Sequence, residues 1–352
     1  MVATKCTVPY TPALLFLFCL NCCTALTAGD YLIRDLGTLP GGDFSRATDI
    51  NDAGNIVGES PQQGEGGYTH AVAWINDQIV NITGSGYRYS GGLGINNQNE
   101  VVGVSDDGTV PFHWNNGVLI KLPPLQITGG IANAINDQSR IVGAGRMNNG
   151  NAVATMWYQG SVTSLGTLGG SFSEAYDINE AGEIVGYAAI NATKRHAFRH
   201  DGIQMHDLGT LGGQESEAFA INEGGTIVGR SHYDATWQHA FVYDNGSMTD
   251  LGTLGGLRSA AYGINDDGII VGESSVSGTS PVHAVIWEDG VIADLNARIE
   301  PASGWVLHGA NAINTRGQIA GVGTHNGQTR GFLMTPLIVG DMNCDARISV
   351  TD

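Results

Sequence analysis

The chain has 352 residues, of which 52 are glycine and only 14% are charged, and its formal net charge is −18. This composition is globular and rich in turns, which excludes a disordered chain and leaves little room for surface helix. The acidic charge repels phosphate backbones, so nucleic acid is excluded as an expected partner.

The first segment, 1–28, has the order of an export signal. Lys5 precedes an apolar run over 13–20, and small residues follow that run. The run is too short to span a bilayer, so no membrane span is expected. Signal cleavage is expected after Ala25 or Ala28. The sequence therefore predicts an exported protein.

Cysteine has no expected structural role after export. Four of the five cysteines lie in the signal segment: Cys6, Cys19, Cys22 and Cys23. Only Cys344 remains after cleavage, so one chain cannot form a disulfide and must be stabilised by a packed core. Lipid attachment at Cys22 is an alternative to simple secretion, although Leu20 and Asn21 before it fit that signal poorly.

Seven copies of one repeat fill residues 29–337. Each copy contains Ile-Asn, a turn and then a glycine after Val or Ala, and the asparagines are 40–49 residues apart: Asn51, Asn96, Asn136, Asn179, Asn222, Asn265 and Asn314. Each copy divides into four short segments rich in Ile, Val, Phe and Tyr, with Gly, Asn and Asp between them. Four strands in about 43 residues are typical of a β-propeller blade.

The two ends of the repeat region complete each other. Residues 31–37 resemble a fourth strand without the preceding three, and the last copy stops after its third strand. Pairing of 31–37 with 330–335 would complete one blade and close the ring, leaving no open sheet edge. The sequence thus predicts an all-β, seven-bladed β-propeller of four-stranded blades, closed by its N-terminal strand and expected to be a monomer.

Three motifs recur along the repeats: "HAF" or "HAV", "DLGTLGG" and "AxxINxxGxIVG". Through these motifs, residues 31–337 resemble the HAF-repeat family of extracellular proteins. The resemblance implies a propeller-like domain and bacterial export, to the medium or the cell surface. It implies no activity.

The segment 338–352 resembles the first calcium loop of a type I dockerin domain. By this resemblance, oxygen ligands would come from Asp341, Asn343, Asp345, the carbonyl of Arg347 and Asp352. Ala346 stands where the loop needs glycine for a sharp turn, and the chain ends before the helix and second loop of the family pattern. We expect an incomplete loop that binds calcium weakly or not at all. A cohesin-type partner is expected only with a complete dockerin.

Four histidines begin the third strand of their copies: His70, His196, His239 and His283. Equivalent positions of a propeller lie on a wide ring, too far apart for shared ligand distances of about 2 Å. We therefore expect each histidine to bond to a loop backbone rather than to a metal. The turns after Ile-Asn offer too few oxygens for calcium and are expected to be Asx-type turns. No cofactor is expected in the propeller.

Two sets of variable loops, before the first strand and between the second and third strands, are predicted to share one face, here called the long-loop face. These loops carry aromatic residues that could stack on sugars or anchor a protein, or pack under their own loops: Trp237, Tyr233, Trp305, Phe44, Phe172 and Tyr68. The opposite face is predicted to carry tight hairpins such as Asp201-Gly202 and Asp289-Gly290. This pattern favours a non-catalytic binding or scaffold module that recognises an extracellular glycan or protein.

Catalysis is the alternative function. The sequence has no Gly-x-Ser-x-Gly elbow, His-Glu-x-x-His motif or phosphate loop, so no catalytic residue is assigned. Four carboxylates near the predicted axis could still serve a polysaccharide hydrolase or lyase: Asp49, Asp177, Glu174 and Glu217. Lining a solvated channel is their expected role.

Overall fold

Seven four-stranded antiparallel sheets make up the protein in a computed structural model, which describes residues 30–64, 66–84 and 86–337. This arrangement confirms the predicted all-β, seven-bladed propeller. The predicted signal segment 1–28 and the predicted calcium-loop segment 338–352 lie outside the described residues. Within the described ranges, no helix is both long enough and apolar enough to cross a membrane.

Blades 1 to 6 each use four consecutive strands, and blade 7 uses the last three strands with β1. The first group of strands is β1 (Tyr31–Asp35); β2 (Arg46–Ile50), β3 (Ile56–Pro61), β4 (Thr69–Ile75) and β5 (Gln78–Asn81) in blade 1; β6 (Gly91–Ile95), β7 (Val101–Ser105), β8 (Val110–Asn115) and β9 (Val118–Lys121) in blade 2; and β10 (Ile127–Ile135), β11 (Ile141–Arg146), β12 (Ala152–Tyr158) and β13 (Ser161–Gly166) in blade 3.

The second group is β14 (Ser173–Ile178), β15 (Ile184–Ala189), β16 (Arg195–His200) and β17 (Met205–Asp207) in blade 4; β18 (Ser216–Ile221), β19 (Ile227–His232), β20 (Gln238–Asp244) and β21 (Ser247–Asp250) in blade 5; β22 (Ser259–Ile264), β23 (Ile270–Ser275), β24 (Val282–Glu288) and β25 (Val291–Asp294) in blade 6; and β26 (Trp305–Ile313), β27 (Ile319–His325) and β28 (Gln328–Pro336) in blade 7. Two 3-10 helices, Leu295–Ala297 and Pro301–Ser303, connect blades 6 and 7.

Strand β1 closes the ring, as predicted. It pairs antiparallel with β28, in a register that runs from Tyr31 opposite Pro336 to Asp35 opposite Phe332. The backbone N–H of Leu36 extends the pairing by donating to the carbonyl of Gly331 at 3.0 Å. The first strand of the described residues is therefore the outermost strand of the last blade.

A closed ring of asparagine side chains joins the seven blades at the end of the axis opposite the long-loop face. The Nδ2 of each Ile-Asn asparagine donates to the backbone carbonyl of the equivalent asparagine in the next blade, at 2.9–3.3 Å. The last link, from Asn314 of blade 7 to Asn51 of blade 1, measures 3.0 Å. The Oδ1 of Asn51 also accepts the N–H groups of Ala53 and Asn55, which confirms the Asx-type turn. The Ile-Asn motif thus encodes both a turn and a link between blades.

The glycine of each Ile-Val-Gly motif is required by a close approach of the first two strands of its blade. A Cβ atom at Gly186 would lie 2.0 Å from the carbonyl oxygen of Glu174. The equivalent glycines of the other six blades would meet an inner-strand carbonyl at 1.9–2.2 Å. Each inner strand also contains a β-bulge beside this contact, such as that between Ala175 and Asp177.

The hydrophobic core lies between neighbouring blades. One cluster, for example, joins Val142 and Ala154 of blade 3 to Ala175 and Phe198 of blade 4. The aromatic residue of the third strand is fully buried in blades 2, 4, 5 and 7: Phe112, Phe198, Phe241 and Phe332. Burial of one such side chain contributes roughly 1.5–3 kcal/mol, so each blade is stabilised mainly by its neighbours.

The histidines of blades 4 to 6 contradict one prediction, because their partners are carboxylates and not loop backbone. In blades 4 to 6 the histidine Nδ1 lies 2.6–2.9 Å from the aspartate that follows 11 residues later, as in His196–Asp207, His239–Asp250 and His283–Asp294. The strand register explains this contact: Asp207 lies opposite Phe198, so it can reach diagonally to His196. The aspartate also accepts a backbone N–H two residues later and so fixes the turn to the next blade. In blade 1, His70 is buried and Asn81 replaces the aspartate.

The hairpins on the opposite face differ in one blade from the prediction. Four Asn-Gly or Asp-Gly pairs lie between the third and fourth strands. Both central residues have positive φ at three of them, as expected for tight two-residue turns: Asn116-Gly117, Asn245-Gly246 and Asp289-Gly290. At the fourth pair, Gly202 has positive φ but Asp201 does not. Instead the Oδ1 of Asp201 accepts the N–H groups of Ile203 and Gln204, which makes a wider loop between β16 and β17.

Candidate ligand-binding site

The bulge in each inner strand turns one side chain toward the axis of the propeller. A bulge leaves its extra residue outside the pairing and changes the direction of the side chain. Seven such residues, one per blade, line an axial cavity of about 230 Å³: Thr48, Leu93, Asn133, Tyr176, Phe219, Tyr262 and Asn311. The repeat leaves this position variable, so each blade contributes a different chemical group to the channel wall.

Blades 4 to 6 place three aromatic rings side by side on this wall, here called the aromatic arc: Tyr176, Phe219 and Tyr262. Adjacent ring centroids are 5.4 Å apart, with interplanar angles of 53° and 47°. Tyr187 extends the arc on the long-loop side, 5.6 Å from Tyr176. Tilted contacts at these distances are favourable for aromatic rings. The arc therefore gives one side of the channel mouth a continuous aromatic surface.

Charged side chains on β16, β18 and β19 lie above the arc, and together with it they form the funnel of the long-loop face. Glu217, only 3% exposed, contacts Arg195 at 2.6 Å and Arg230 at 2.7 Å. The guanidinium of Arg230 lies 5.3 Å from the centroid of Phe219, and that of Arg195 lies 5.2 Å from the centroid of Tyr187. A buried charge needs partners of this kind. Glu217 is thus engaged in an ion-pair network.

Asp49 and Asp177 lie deeper in the channel and connect adjacent blades. Asp49 accepts the N–H groups of Ile50 at 2.8 Å and, in the next blade, of Ile95 at 2.9 Å. Asp177 makes the equivalent two bonds between blades 4 and 5. Burial raises the pKa of Asp49 to about 7 and that of Asp177 to about 6, although the backbone hydrogen bonds act in the opposite direction.

The four carboxylates considered as a catalytic set therefore occupy different layers and already have partners. Glu174, the fourth of them, accepts Nδ2 of Asn133 at 2.9 Å and the hydroxyl of Tyr187 at 3.1 Å. With Asp49 and Asp177 bonded to backbone and Glu217 paired with arginine, this arrangement stabilises the channel. It does not present two free carboxylates across a common space.

Replacement of Asp49 and Asp177 by asparagine should change the pH dependence of stability. Because the pKa of each carboxyl group is raised in the folded state, its protonated form stabilises the folded protein. This stabilisation is complete below the ordinary pKa of about 3.8 and is lost as pH rises through 6 to 7. The Tm of the double variant minus that of the parent should therefore rise by several degrees between pH 4 and pH 8. Thermal melts of the Asp267→Asn variant, altered at an exposed site, supply the control. Parallel curves for the double variant and the parent would contradict these assignments.

Tyr233 and Trp237 lie together in the loop between β19 and β20 on the long-loop face. The N–H of Tyr233 donates to the carbonyl of Trp237, and the Oδ1 of Asp234 accepts the N–H of Trp237 at 2.8 Å. The ring centroid of Tyr233 lies 4.1 Å from that of His239. Both aromatic side chains are half-buried. Of the six aromatic residues predicted to bind, these two form the one pair within a single loop.

The other four predicted aromatic residues are distributed around the ring and contact their own blades. Trp305 stacks on His325, with centroids 4.5 Å apart and an interplanar angle of 3°. Phe172 contacts Tyr187 at 6.2 Å, and so lies beside the aromatic arc. Phe44 and Tyr68 of blade 1 lie under Arg46 and Arg88, respectively, with ring-to-guanidinium distances of 4.9 and 5.4 Å. The structure thus does not bring the six together into one site.

Sequence reasoning missed the aromatic arc because it treated the strands as invariant scaffold. One signal was present: the residue after the small Ala or Gly of the inner strand changes from copy to copy, from Thr48 to Tyr176 to Asn311. The residue after each Ile-Val-Gly varies in the same way, as in Glu59, Tyr187 and Glu273. Variation inside a repeated strand is thus a second indicator of a site, in addition to variable loops.

Within residues 30–64, 66–84 and 86–337, no three His, Cys, Asp or Glu side chains come together as a possible metal site. The predicted calcium ligands Asp341, Asn343, Asp345, Arg347 and Asp352 lie outside the described residues.

Taken together, these observations define the chain as a closed seven-bladed β-propeller with an axial cavity of about 230 Å³. Among solved structures, a puromycin-hydrolysing peptidase of Mycobacterium tuberculosis matches 89% of this chain and 55% of its own, with 12% identity and a TM-score of 0.58. TolB of Acinetobacter baumannii matches 84% of this chain and 65% of its own, with 12% identity and a TM-score of 0.48. A gluconolactonase of Xanthomonas campestris matches 89% and 92%, with 11% identity and a TM-score of 0.41.

These similarities concern the fold alone, since propellers host both binding and enzymatic functions. The chain spans less than two thirds of the length of the peptidase and of TolB. No protein-family model and no curated protein matches this sequence.

Proposed function

We propose that this protein is an exported binding module whose long-loop face captures an extracellular glycan or protein. The aromatic arc is the observation that carries this proposal. Tyr176, Phe219 and Tyr262 present half-buried ring surfaces to an open cavity, with charged groups directly above them. Aromatic surfaces flanked by polar groups suit sugar rings and the anchor residues of protein partners.

Several features of the sequence support a location outside the cell. The signal-like segment 1–28 and the resemblance to the HAF-repeat family both favour secretion or display on the bacterial surface. We propose a further, weak calcium loop at 338–352 by resemblance to dockerin domains. A cohesin-type partner would require a complete dockerin.

We favour a binding function over polysaccharide hydrolysis or lysis because the channel carboxylates are already bonded to other groups. A glycosidase needs one carboxyl group free to donate a proton and a second free to attack or to activate water. Asp49 and Asp177 are each bonded to two backbone N–H groups. Glu217 contacts two arginines. These bonds would have to break before the carboxylates could act on a sugar.

A glycan array probed with the chain from residue 29 onward would identify the ligand class, and two variants then test the face. We expect the Trp237→Ala, Tyr233→Ala double variant to bind roughly thirtyfold more weakly, because loss of a buried aromatic anchor costs about 2 kcal/mol or more. The control is Ile203→Ala, which removes an 89% exposed side chain on the opposite face. Binding that survives the double substitution but fails in the control would place the site on the opposite face.

A further inference from the structure

A cleft of about 530 Å³ opens from the funnel between blades 6 and 7. It is present because the inner strands carry small residues here: Ala260 and Gly309 occupy the position of Glu174 in blade 4 and Glu217 in blade 5. Its lining includes the last ring of the aromatic arc. The repeat therefore leaves a gap at one place where other blades are filled by a charged side chain.

Two hydrogen-bond acceptors point into the space above Gly309. A Cβ atom there would lie 3.5 Å from Oδ1 of Asn311 and 3.8 Å from Oε2 of Glu273. The Nδ2 of Asn311 donates to the carbonyl of Ala47 at 2.7 Å, which leaves its Oδ1 as the group that faces the cleft. A ligand atom in this space would thus meet two acceptors, so it must be a donor.

One of the two acceptors is a carboxylate without a direct ion pair. Within the described part of the chain, Glu273 has no ion pair, and its hydrogen-bond partner is the hydroxyl of Tyr262. By contrast Glu59, which occupies the same position in blade 1, pairs with Arg46 at 2.7 Å. Two arginines lie near Glu273 without pairing with it: Arg230 contacts Glu217, and Arg258 donates to the carbonyl of Thr279.

The remaining walls of the cleft add an aromatic face and an apolar side. Tyr262 forms one wall, and Pro281, Val282 and Val322 form much of the rest. His308 lies at the edge, with Nε2 2.8 Å from the Thr324 hydroxyl. A carboxylate beside an aromatic ring is an arrangement that binds organic cations.

We propose that this cleft binds a primary ammonium group, between Glu273, Asn311 and the ring of Tyr262. The inference rests on the proposed binding function and specifies the ligand chemistry for that face. The ammonium group could belong to an amino sugar of a glycan or to the N-terminus of a peptide. The net charge of −18 would draw such a cationic ligand toward the protein.

Calorimetric titration with two pairs of probes tests the proposal. The first pair is a glucosamine oligomer and its N-acetylated form, and the second is a short peptide with a free or an acetylated N-terminus. We expect one free-amine probe to bind and its acetylated counterpart to bind at least tenfold more weakly. Glu273→Gln, which keeps the shape of the side chain but removes its charge, should weaken the free-amine probe by a factor of ten or more. The matched control is Glu59→Gln, which should bind within about twofold of the parent.

A second variant, Gly309→Leu, blocks the cleft without altering Glu273. The position accepts larger side chains elsewhere, since Ile131 and Glu174 occupy it in blades 3 and 4, and this variant should also lose the free-amine probe. Equal binding of free and acetylated probes, or an unchanged Glu273→Gln variant, would overturn the proposal. Capture of a neutral glycan that depends on Trp237 would still uphold the proposed function. Failure of every probe and every arrayed glycan would count against both.

Discussion

A chain that lacks residues 31–37 should lose most of its stability. The deletion removes five residue pairs between β1 and β28, from Tyr31–Pro336 to Asp35–Phe332, and exposes the edge of β28. It also removes the buried side chains of Tyr31 and Leu36, each worth roughly 1.5–3 kcal/mol. A total of more than about 4 kcal/mol approaches the whole stability of an ordinary domain. We therefore expect a fall in Tm of about 10 °C or more, or a chain that aggregates at 25 °C, as measured by circular dichroism and light scattering.

Two further measurements distinguish the loss of ring closure from the loss of other contacts that residues 31–37 make. Arg34→Ala removes a surface ion pair with Asp77 from β1 and should change stability by less than about 1 kcal/mol. A peptide with the sequence of residues 30–37, added to the shortened chain, should raise its Tm in a concentration-dependent way. If the shortened chain melts like the parent, β1 does not close the ring.

Gly186→Ala should be the most damaging single-methyl substitution in blade 4. The new Cβ would lie 2.0 Å from the carbonyl oxygen of Glu174 and 2.9 Å from Cα of Ala175. Both are backbone atoms beside the inner-strand bulge, so the two strands must separate to make room. We expect a loss of about 3 kcal/mol or more in the free energy of unfolding, as measured by urea denaturation.

Gly91→Ala is the matched control for this substitution, because a Cβ on Gly91 meets no atom within 4 Å. Its effect should stay within about 0.5 kcal/mol. Since the separation at Gly186 would also displace Tyr176 in the aromatic arc, the Gly186→Ala variant should lose ligand capture at temperatures where it remains folded. Similar stabilities for the two variants would show that the strand contact tolerates a methyl group.

The fold could be predicted from the sequence because every propeller blade repeats the same pattern of strands and turns. Seven Ile-Asn turns at nearly equal spacing give the number of blades. A lone fourth strand at the start of the repeat region and a three-stranded copy at its end predict the closure that β1 and β28 make. The ring of asparagine bonds follows from the same motif, but it could not be read from one copy. Its donor and acceptor lie in different blades, as in the 45-residue separation of Asn51 and Asn96.

The candidate site could not be predicted from the sequence for a different physical reason. Tyr176 points to the axis because of a β-bulge, whereas strict alternation of side chains along the strand would not bring it there. The bulge cannot be recognised from the neighbouring residues in the sequence. The cleft beside Glu273 is harder still to predict. It depends on the absence of a side chain at Gly309 and on which carboxylates form an ion pair with an arginine. The partners of His196, His239 and His283 were wrongly predicted for a similar reason: they lie on the fourth strand, and only the strand register identifies them.

The composition of blade 7 determines the order in which the blades can form during synthesis. Blades 1 to 6 contain consecutive strands and can form from local hairpins as soon as each repeat leaves the ribosome. Blade 7 cannot, because His325 and Asp35, which meet in it, are 290 residues apart in the chain. Strand β1 is made first and must wait unpaired until the final repeat exists, so any factor that protects the nascent chain would be needed most at this segment.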